Sequence, residues 1–147
     1  MRKELEPNIE KADAIVLKVV ELITQYDDAC DNGNVKKQKI AIKQISDLTQ
    51  KIISEQDVSE YWGYISKGDL AYQFAIPNPS KQDISKFELI ELIEKITSSD
   101  EYNFEFYRVL LERSFAHPNP IQLIFNSDGL SNDEIANQIA NFKPIIL

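Results

Sequence analysis

The sequence predicts an all-α fold, a helical bundle, from three observations. Apolar residues recur every three or four positions through most of the chain, whereas strict alternation of polar and apolar residues never lasts beyond a few positions. Helix-start signatures precede several of these stretches, and prolines or glycines separate them. Apolar residues make up 43% of the 147 and aromatic residues 10%, which is typical of a packed domain.

The first two elements are predicted to form an antiparallel helix pair. Residues 8–28 and 35–54 both carry apolar side chains at helical spacing, and Gly33 lies in the polar turn between them. The second stretch also carries a run of lysines: Lys36, Lys37, Lys39, Lys43 and Lys51. Such a run can bind an anionic partner, but it is more often a solvated helix face, which is the interpretation we adopt.

An aromatic stretch and a proline pair follow. Residues 57–76 predict a short helix and then another that opens near Ser66 and Asp69. Their aromatic residues are suited to a core or, less commonly, to a binding platform: Tyr61, Trp62, Tyr64, Tyr72 and Phe74. Pro77 and Pro79 then interrupt the chain. We therefore predict an N-terminal helical region, 1–76, and a C-terminal region, 81–147, as two units or as one continuous domain.

The C-terminal region begins with a complete helix-start signature. Ser85 can cap a helix and Glu88, three residues later, can complete the capping box. The buried stripe of this helix is predicted to be Leu89, Leu92, Ile93 and Ile96. A second capping box, Ser131 with Glu134, opens the last helix, which we expect to end near Phe142 before Pro144.

The helix between these two carries a charged stripe. With Ser98 or Asp100 as its cap, its charged residues recur at intervals of four, three and four and so share one exposed face: Glu101, Glu105, Arg108 and Glu112. Apolar and aromatic residues, among them Phe104, occupy the rest of its circumference. We therefore expect this helix to contact neighbours on more than one side.

The charge distribution disfavours nucleic acid as a direct partner. The net charge is −8, the opposite sign to a nucleic-acid binder. Residues 1–80 hold 13 acidic and 10 basic side chains, and residues 81–147 hold 11 and 6, so the second region carries −5 of the total.

No apolar run is long enough to cross a bilayer, and acidic residues interrupt the N-terminus where a signal peptide would be apolar. We expect a cytoplasmic protein without a membrane partner.

The sequence holds no motif of a catalytic, nucleotide-binding or metal site. Cys30 is the only cysteine and His117 the only histidine, so neither has the partners that a metal or nucleophilic site requires. We interpret His117 as structural, with its ring donating to a backbone carbonyl between the prolines at Pro118 and Pro120. We predict no enzyme, cofactor or metal, although convergent carboxylates from the 24 acidic residues stay a third alternative.

The stretch "HPNPIQLIFNS", residues 117–127, and the helix order around it resemble one known family. This order is a capped helix, an acidic helix, His-Pro, a short helix and a final capped helix. It resembles the colicin and pyocin DNase immunity proteins, whose short third helix reads roughly HP-x-x-x-DLIYYP. The likeness covers about residues 83–142, and residues 1–80 have no counterpart in that family. The resemblance implies a four-helix C-terminal part, with residues 1–76 as an added helical layer.

The resemblance also implies a function and a site. In that family the short helix supplies an aspartate and two tyrosines that anchor a toxin, and the acidic helix discriminates between toxins. The matching positions here hold Gln122, Phe125 and Asn126, so all three anchors differ. The implied function is to neutralise a bacteriocin-type or contact-delivered toxin, a basic protein such as a nuclease, in a stoichiometric complex. The implied partner-binding residues are Glu101, Glu105, Arg108, Glu112, Gln122, Phe125 and Asn126.

A second class of function stays open alongside this one. The chain is also suited to a helical adaptor or regulatory module unrelated to toxins, with the aromatic residues of 61–74 as its interface. The sequence leaves the oligomeric state, the identity of a toxin and the role of residues 1–80 undetermined.

Overall fold

The computed structural model is all-α over the residues that it describes, which confirms the predicted class. It describes residues 1–59, 61, 65–98 and 101–144, and for Glu101 and Tyr102 the backbone only. Within these ranges a short 3₁₀ helix, Lys3–Leu5, precedes eight α-helices: α1 Ile9–Asp31, α2 Val35–Thr49, α3 Glu55–Ser59, α4 Lys67–Ala75, α5 Lys86–Ser98, α6 Glu101–Ser114, α7 Pro120–Asn126 and α8 Asn132–Ala140. None of the described helices is long and apolar enough to cross a membrane.

The chain divides into two compact units. One unit is Asn8–Pro77, and the other combines Met1–Pro7 with Asn78–Leu147. The division after Pro77 falls at the proline pair, where fixed φ angles and missing N–H groups end helical structure. The first seven residues belong to the same unit as Asn78–Leu147, whereas the sequence-based division placed them in the N-terminal region.

The unit Asn8–Pro77 is built on α1, which packs against both α2 and α4. Asn8 and Asn34 cap α1 and α2, each side-chain oxygen accepting a backbone N–H three residues on at 3.1 Å. Gly33 between the two helices has φ +65°, a left-handed angle that suits glycine. The buried residues of the helix pair are Ala12, Val19, Leu22, Ile23, Tyr26, Ala29, Ala41 and Ile45.

Helix α2 ends earlier than the sequence pattern predicted. It stops at Thr49, and Gln50 has a left-handed φ of 56°. Ile52, an apolar residue of the predicted helical stretch 35–54, is therefore outside the helix, and it is 99% exposed. The last helix, α8, likewise ends at Ala140 and not near Phe142. An apolar pattern alone does not locate a helix end, because the chain can leave the helix while the spacing continues.

In the second unit, α5 is the central helix and contacts α6, α7 and α8. The predicted capping box is present: the Glu88 N–H donates to Ser85 Oγ at 3.2 Å and the Ser85 N–H to Glu88 Oε1 at 3.0 Å. The predicted stripe of α5 is buried, and the core it forms with the other helices consists of Leu89, Leu92, Ile93, Ile96, Phe106, Tyr107, Leu110, Leu111, Ile124, Ile135, Ala136 and Ile139.

The N-terminal 3₁₀ helix belongs to this unit, as shown by Leu5 within the helix and by Arg2, the residue before it. Leu5 is fully buried. Arg2 donates from Nε to Glu88 Oε2 at 2.6 Å and from Nη2 to the Asp83 carbonyl at 2.7 Å. This contact spans more than 80 residues of sequence, so no local pattern indicates it.

The Arg2–Glu88 pair predicts a specific acid dependence of stability. The hydrogen bond from Arg2, with those from Ser85, lowers the pKa of Glu88 to about 2. The unfolded pKa is higher, so this stabilisation is fully present above about pH 5 and disappears as the pH falls toward 2. We expect Glu88→Gln to unfold more easily than the wild type at neutral pH, and the difference to shrink across that window in urea titrations. A difference independent of pH would contradict this role.

Candidate functional site

The short helix α7 is positioned by a turn built from His117 and Asn119. The Asn119 side chain caps α7 by accepting the Gln122 N–H at 3.1 Å, and Pro120 occupies the first turn, where no N–H is needed. His117 Nδ1 accepts the Asn119 N–H at 3.1 Å. This direction is opposite to the one predicted from the sequence, in which the ring donates to a backbone carbonyl. The His117 ring also packs on Phe142, with centroids 5.0 Å apart.

The exposed face of α7 brings together the three predicted residues of this helix. Phe125 and Asn126 lie three and four residues after Gln122, and all three are exposed. Gln122 Oε1 accepts a hydrogen bond from Asn119 Nδ2 at 3.1 Å, so part of its polar capacity is used in the cap. Phe125 is 50% exposed, which is unusual for so large an apolar side chain.

Phe125 connects α7 to α6 through a ring contact. Its ring centroid lies 6.0 Å from that of Phe104, tilted by 48°, a geometry favourable for an aromatic pair. Phe104 is four residues before Arg108, so the two are neighbours on the surface of α6. The exposed face of α7 therefore borders the charged stripe of α6. Phe104 is absent from the site predicted from the sequence, although its spacing of four residues from Arg108 is a signal that could have indicated it.

The charged stripe of α6 is internally paired. Arg108 Nη1 donates to Glu112 Oε2 at 2.7 Å, and Arg108 also forms a two-nitrogen contact with the Glu105 carboxylate. The hydrogen bonds that Arg108 donates to Glu105, with further contributions from Glu112, raise the pKa of Arg108. Glu105, Arg108 and Glu112 together carry a net charge of −1, whereas the two glutamates alone would carry −2. Glu105 and Arg108 are half-buried and Glu112 is exposed, while the side chain of Glu101 lies outside the described residues.

We call this combined region the α6–α7 surface: Phe104, Glu105, Arg108, Glu112, Gln122, Phe125 and Asn126. It presents a partly exposed aromatic pair beside carboxylates that form ion pairs with Arg108. Such an arrangement is suited to binding another protein, because aromatic residues and arginine are the side chains that most often carry interface affinity.

Metal-ligating side chains do not cluster in the described part of the molecule. Among the described residues, no three His, Cys, Asp or Glu side chains are grouped so that they could hold a metal ion. A cavity of about 460 Å³ beside His117 is lined by Asn137, Gln138, Asn141 and Phe142, which supply carboxamides and a ring. Carboxamides do not titrate, so this lining offers the imidazole no acid or base partner.

Comparison with known proteins identifies no relative. No protein-family model, no curated protein and no solved structure matches this chain. The resemblance to immunity proteins therefore depends on the helix order and on the stretch 117–127 alone.

Proposed function

We propose that the chain is an immunity-type inhibitor that binds a protein toxin in a stoichiometric complex through the α6–α7 surface. The single observation that carries the proposal is the position of Phe125. It is half exposed on the short helix α7, contacts Phe104 and borders the charged stripe of α6. An exposed aromatic anchor surrounded by charged groups is the usual centre of a tight protein interface.

The residues of α7 suggest how such a complex would differ from those of the family it resembles. Phe125 retains the ring of a tyrosine anchor but has no hydroxyl group. Gln122, in place of an aspartate, contributes no charge and already shares its carbonyl oxygen with Asn119. Affinity at α7 would therefore come mainly from apolar burial, with little contribution from an ion pair.

The ion pairs of Arg108 bear on how strongly the surface can attract a charged partner. Because Arg108 neutralises part of Glu105 and Glu112, the described stripe attracts a basic toxin more weakly than two free carboxylates would. Arg108 itself adds a planar guanidinium group at the edge of the aromatic pair, and arginine is among the residues that most often dominate binding. We propose that the partner is a basic toxin, a nuclease being one option. Its contact region would also offer a hydrogen-bond acceptor to the Arg108 guanidinium group.

Inhibition of this kind needs neither a cofactor nor a catalytic residue, and it acts where the toxin would otherwise do damage. We propose that the protein works in the cytoplasm and has no enzymatic activity of its own. The direct test is co-expression with the product of an adjacent gene: if that product is toxic, this chain should restore growth and co-purify with it. Rescue without a complex, or a neighbouring product that is harmless, would contradict the proposal.

Charge reversal on α6 tests the α6–α7 surface itself. We expect the double variant Glu105→Lys, Glu112→Lys to weaken toxin binding by about tenfold or more, mainly through slower association. The matched control is Glu91→Lys, Glu94→Lys, since these glutamates are exposed on α5 outside the surface. Association and dissociation rates at low and high salt provide the measurement. Equal losses in both double variants would mean that the effect is general electrostatics and not this surface.

The adaptor alternative is less well supported by the described aromatic residues. Tyr61 and Phe74 are each only 6% exposed, Tyr72 is partly buried, and the Tyr61 hydroxyl donates to Asp27 Oδ2 at 2.7 Å. Trp62 and Tyr64 lie outside the described residues. Because an interface needs accessible aromatic faces, Tyr61 and Phe74 fit a core role better. A neighbouring gene that encodes no toxin would favour the adaptor class.

A further inference from the structure

A groove runs along the helix pair of the unit Asn8–Pro77. It consists of two adjoining cavities between α1 and α2, of about 640 Å³ and about 460 Å³, which share Gln25 and Gln44 in their linings. We call it the α1–α2 groove. Its apolar lining residues are Leu22, Ala29, Ile40, Ala41 and Leu48.

The α1–α2 groove has the shape that receives a helix. On α2 its lining residues Lys37, Ala41, Gln44 and Leu48 follow one another at intervals of four, three and four, so the groove extends along three turns, about 17 Å. A channel between two packed helices, with apolar residues inside and polar residues at its edges, is the usual binding site of an amphipathic helix. Ile40 is 47% exposed on one wall, so apolar surface is available there.

The α2 wall of the groove is basic. Lys36, Lys37, Lys39 and Lys43 are all exposed on a 15-residue helix that holds a single acidic residue, Asp47. In the part of the chain that the structure describes, none of the four forms an ion pair. This helix therefore carries +3 in a chain whose net charge is −8.

The lysines are positioned along the groove. Lys37 lines it directly. Lys36, Ile40 and Lys43 are four and three residues apart, so Lys36 and Lys43 share the side of α2 that presents Ile40. This arrangement places ammonium groups beside an apolar contact over two turns.

The opposite wall contributes less charge. On the α1 wall, Asp28 lines the groove. At the other end of the groove, Asp47 of α2 is a second acidic lining residue. Lys18 also lines that end and forms an ion pair with Glu21 at 3.3 Å. Among the described charges at the groove and its edge, the positive excess therefore lies on α2.

We propose that the α1–α2 groove binds an acidic amphipathic helix of a partner protein, whose apolar residues contact Ile40 and Leu48 and whose carboxylates lie beside Lys36, Lys37 and Lys43. This goes beyond toxin binding and uses the other unit. Nucleic acid is a poorer fit, because single strands bind with stacked aromatic residues and the described groove lining holds none. An anionic membrane is also a poorer fit, since the chain as a whole is strongly negative.

The test is a peptide selection on the full chain. Three displayed libraries of peptides about 18 residues long share a helical apolar pattern, with the polar positions restricted to Glu, to Lys or to Gln. A fourth library has the composition of the Glu library with the apolar period shuffled. We expect the patterned Glu library alone to be enriched. Selected peptides should bind about tenfold or more weakly to the triple variant Lys36→Glu, Lys37→Glu, Lys43→Glu, and also to Ile40→Asp.

Matched controls separate the groove from general charge and apolarity. Lys11→Glu reverses a charge on the first turn of α1, and Ile52→Asp replaces an isoleucine that is 99% exposed. Both positions lie outside the groove lining. These variants should bind the selected peptides as the wild type does. Asp28→Asn should bind them more tightly, because it removes the acidic group of the opposite wall. Circular dichroism establishes that each variant keeps its helix content.

Several results would overturn the proposal. Equal enrichment of shuffled or Lys-rich peptides, or peptides insensitive to the groove variants, would contradict it. Binding of oligo(A) RNA or of phosphatidylserine vesicles through the same lysines, without peptide enrichment, would assign the groove to nucleic acid or membrane. A wild-type dimer that Ile40→Asp converts to a monomer would assign it to a second copy of the chain. The groove variants are expected to leave toxin binding unchanged, so the two proposals fail independently.

Discussion

Replacing Phe125 with alanine is expected to weaken toxin binding by about 2 kcal/mol or more, roughly 30-fold in Kd. The ring is half exposed in the free protein and its other side rests on Phe104, so it is held in place before binding. A partner that covers it would bury the exposed half without a large entropic cost. Because the ring makes no charged contact, the loss should appear mainly as faster dissociation and should depend little on salt.

The control for this prediction is Phe87→Ala. Phe87 is a more exposed phenylalanine, at 82%, on α5 of the same unit. Its removal should leave toxin binding unchanged if the α6–α7 surface is the interface. Surface plasmon resonance of both variants against the toxin decides between them. If Phe87→Ala costs more affinity than Phe125→Ala, the interface lies on α5 and the site assigned to α6 and α7 is wrong.

Replacing Leu92 with alanine is expected to lower the free energy of unfolding by about 3 kcal/mol. Leu92 is fully buried on α5, the helix that contacts α6, α7 and α8. The substitution removes three carbon atoms from the centre of this unit, and a helix held on three sides cannot move to fill the space. Hydrogen exchange of the α5, α6 and α8 amides, together with urea unfolding followed by circular dichroism, measures the loss.

Leu17→Ala is the matched control for the core substitution. It makes the same chemical change at a helical leucine that is 81% exposed, so its effect should stay within about 0.5 kcal/mol. A loss below about 1 kcal/mol for Leu92→Ala would contradict the central position of α5. Since α5 supports both α6 and α7, the core variant should also weaken toxin binding through looser positioning, an effect that Leu17→Ala should not show.

Local features of the structure were largely predictable. The caps at Ser66, Ser85 and Ser131 each accept a backbone N–H from the residue three positions on, as the sequence signatures imply. Such hydrogen bonds join residues of one turn, so the residue types alone are enough to anticipate them. The proline pair likewise marks the division between the two units, because proline acts on its own backbone and on the residue before it.

The candidate site was predictable only in part. The spacing of Glu105, Arg108 and Glu112 placed them on one face, and the same spacing could have indicated their ion pairs. The contact between Phe104 and Phe125 could not be read in this way. It joins two helices whose relative position depends on the packing of the whole unit.

The sequence by itself determined the all-α class, the order of the helices, the N-terminal caps at Ser66, Ser85 and Ser131 and the acidic character of the C-terminal region. These depend on periodicity and on interactions within a turn. Only the tertiary structure decided that Arg2 reaches Glu88, that Ile40 and Phe125 stay exposed, and that α1 and α2 leave a groove between them. Exposure and long-range contact depend on which helix faces a neighbour, and apolar spacing is the same for a covered and an uncovered face.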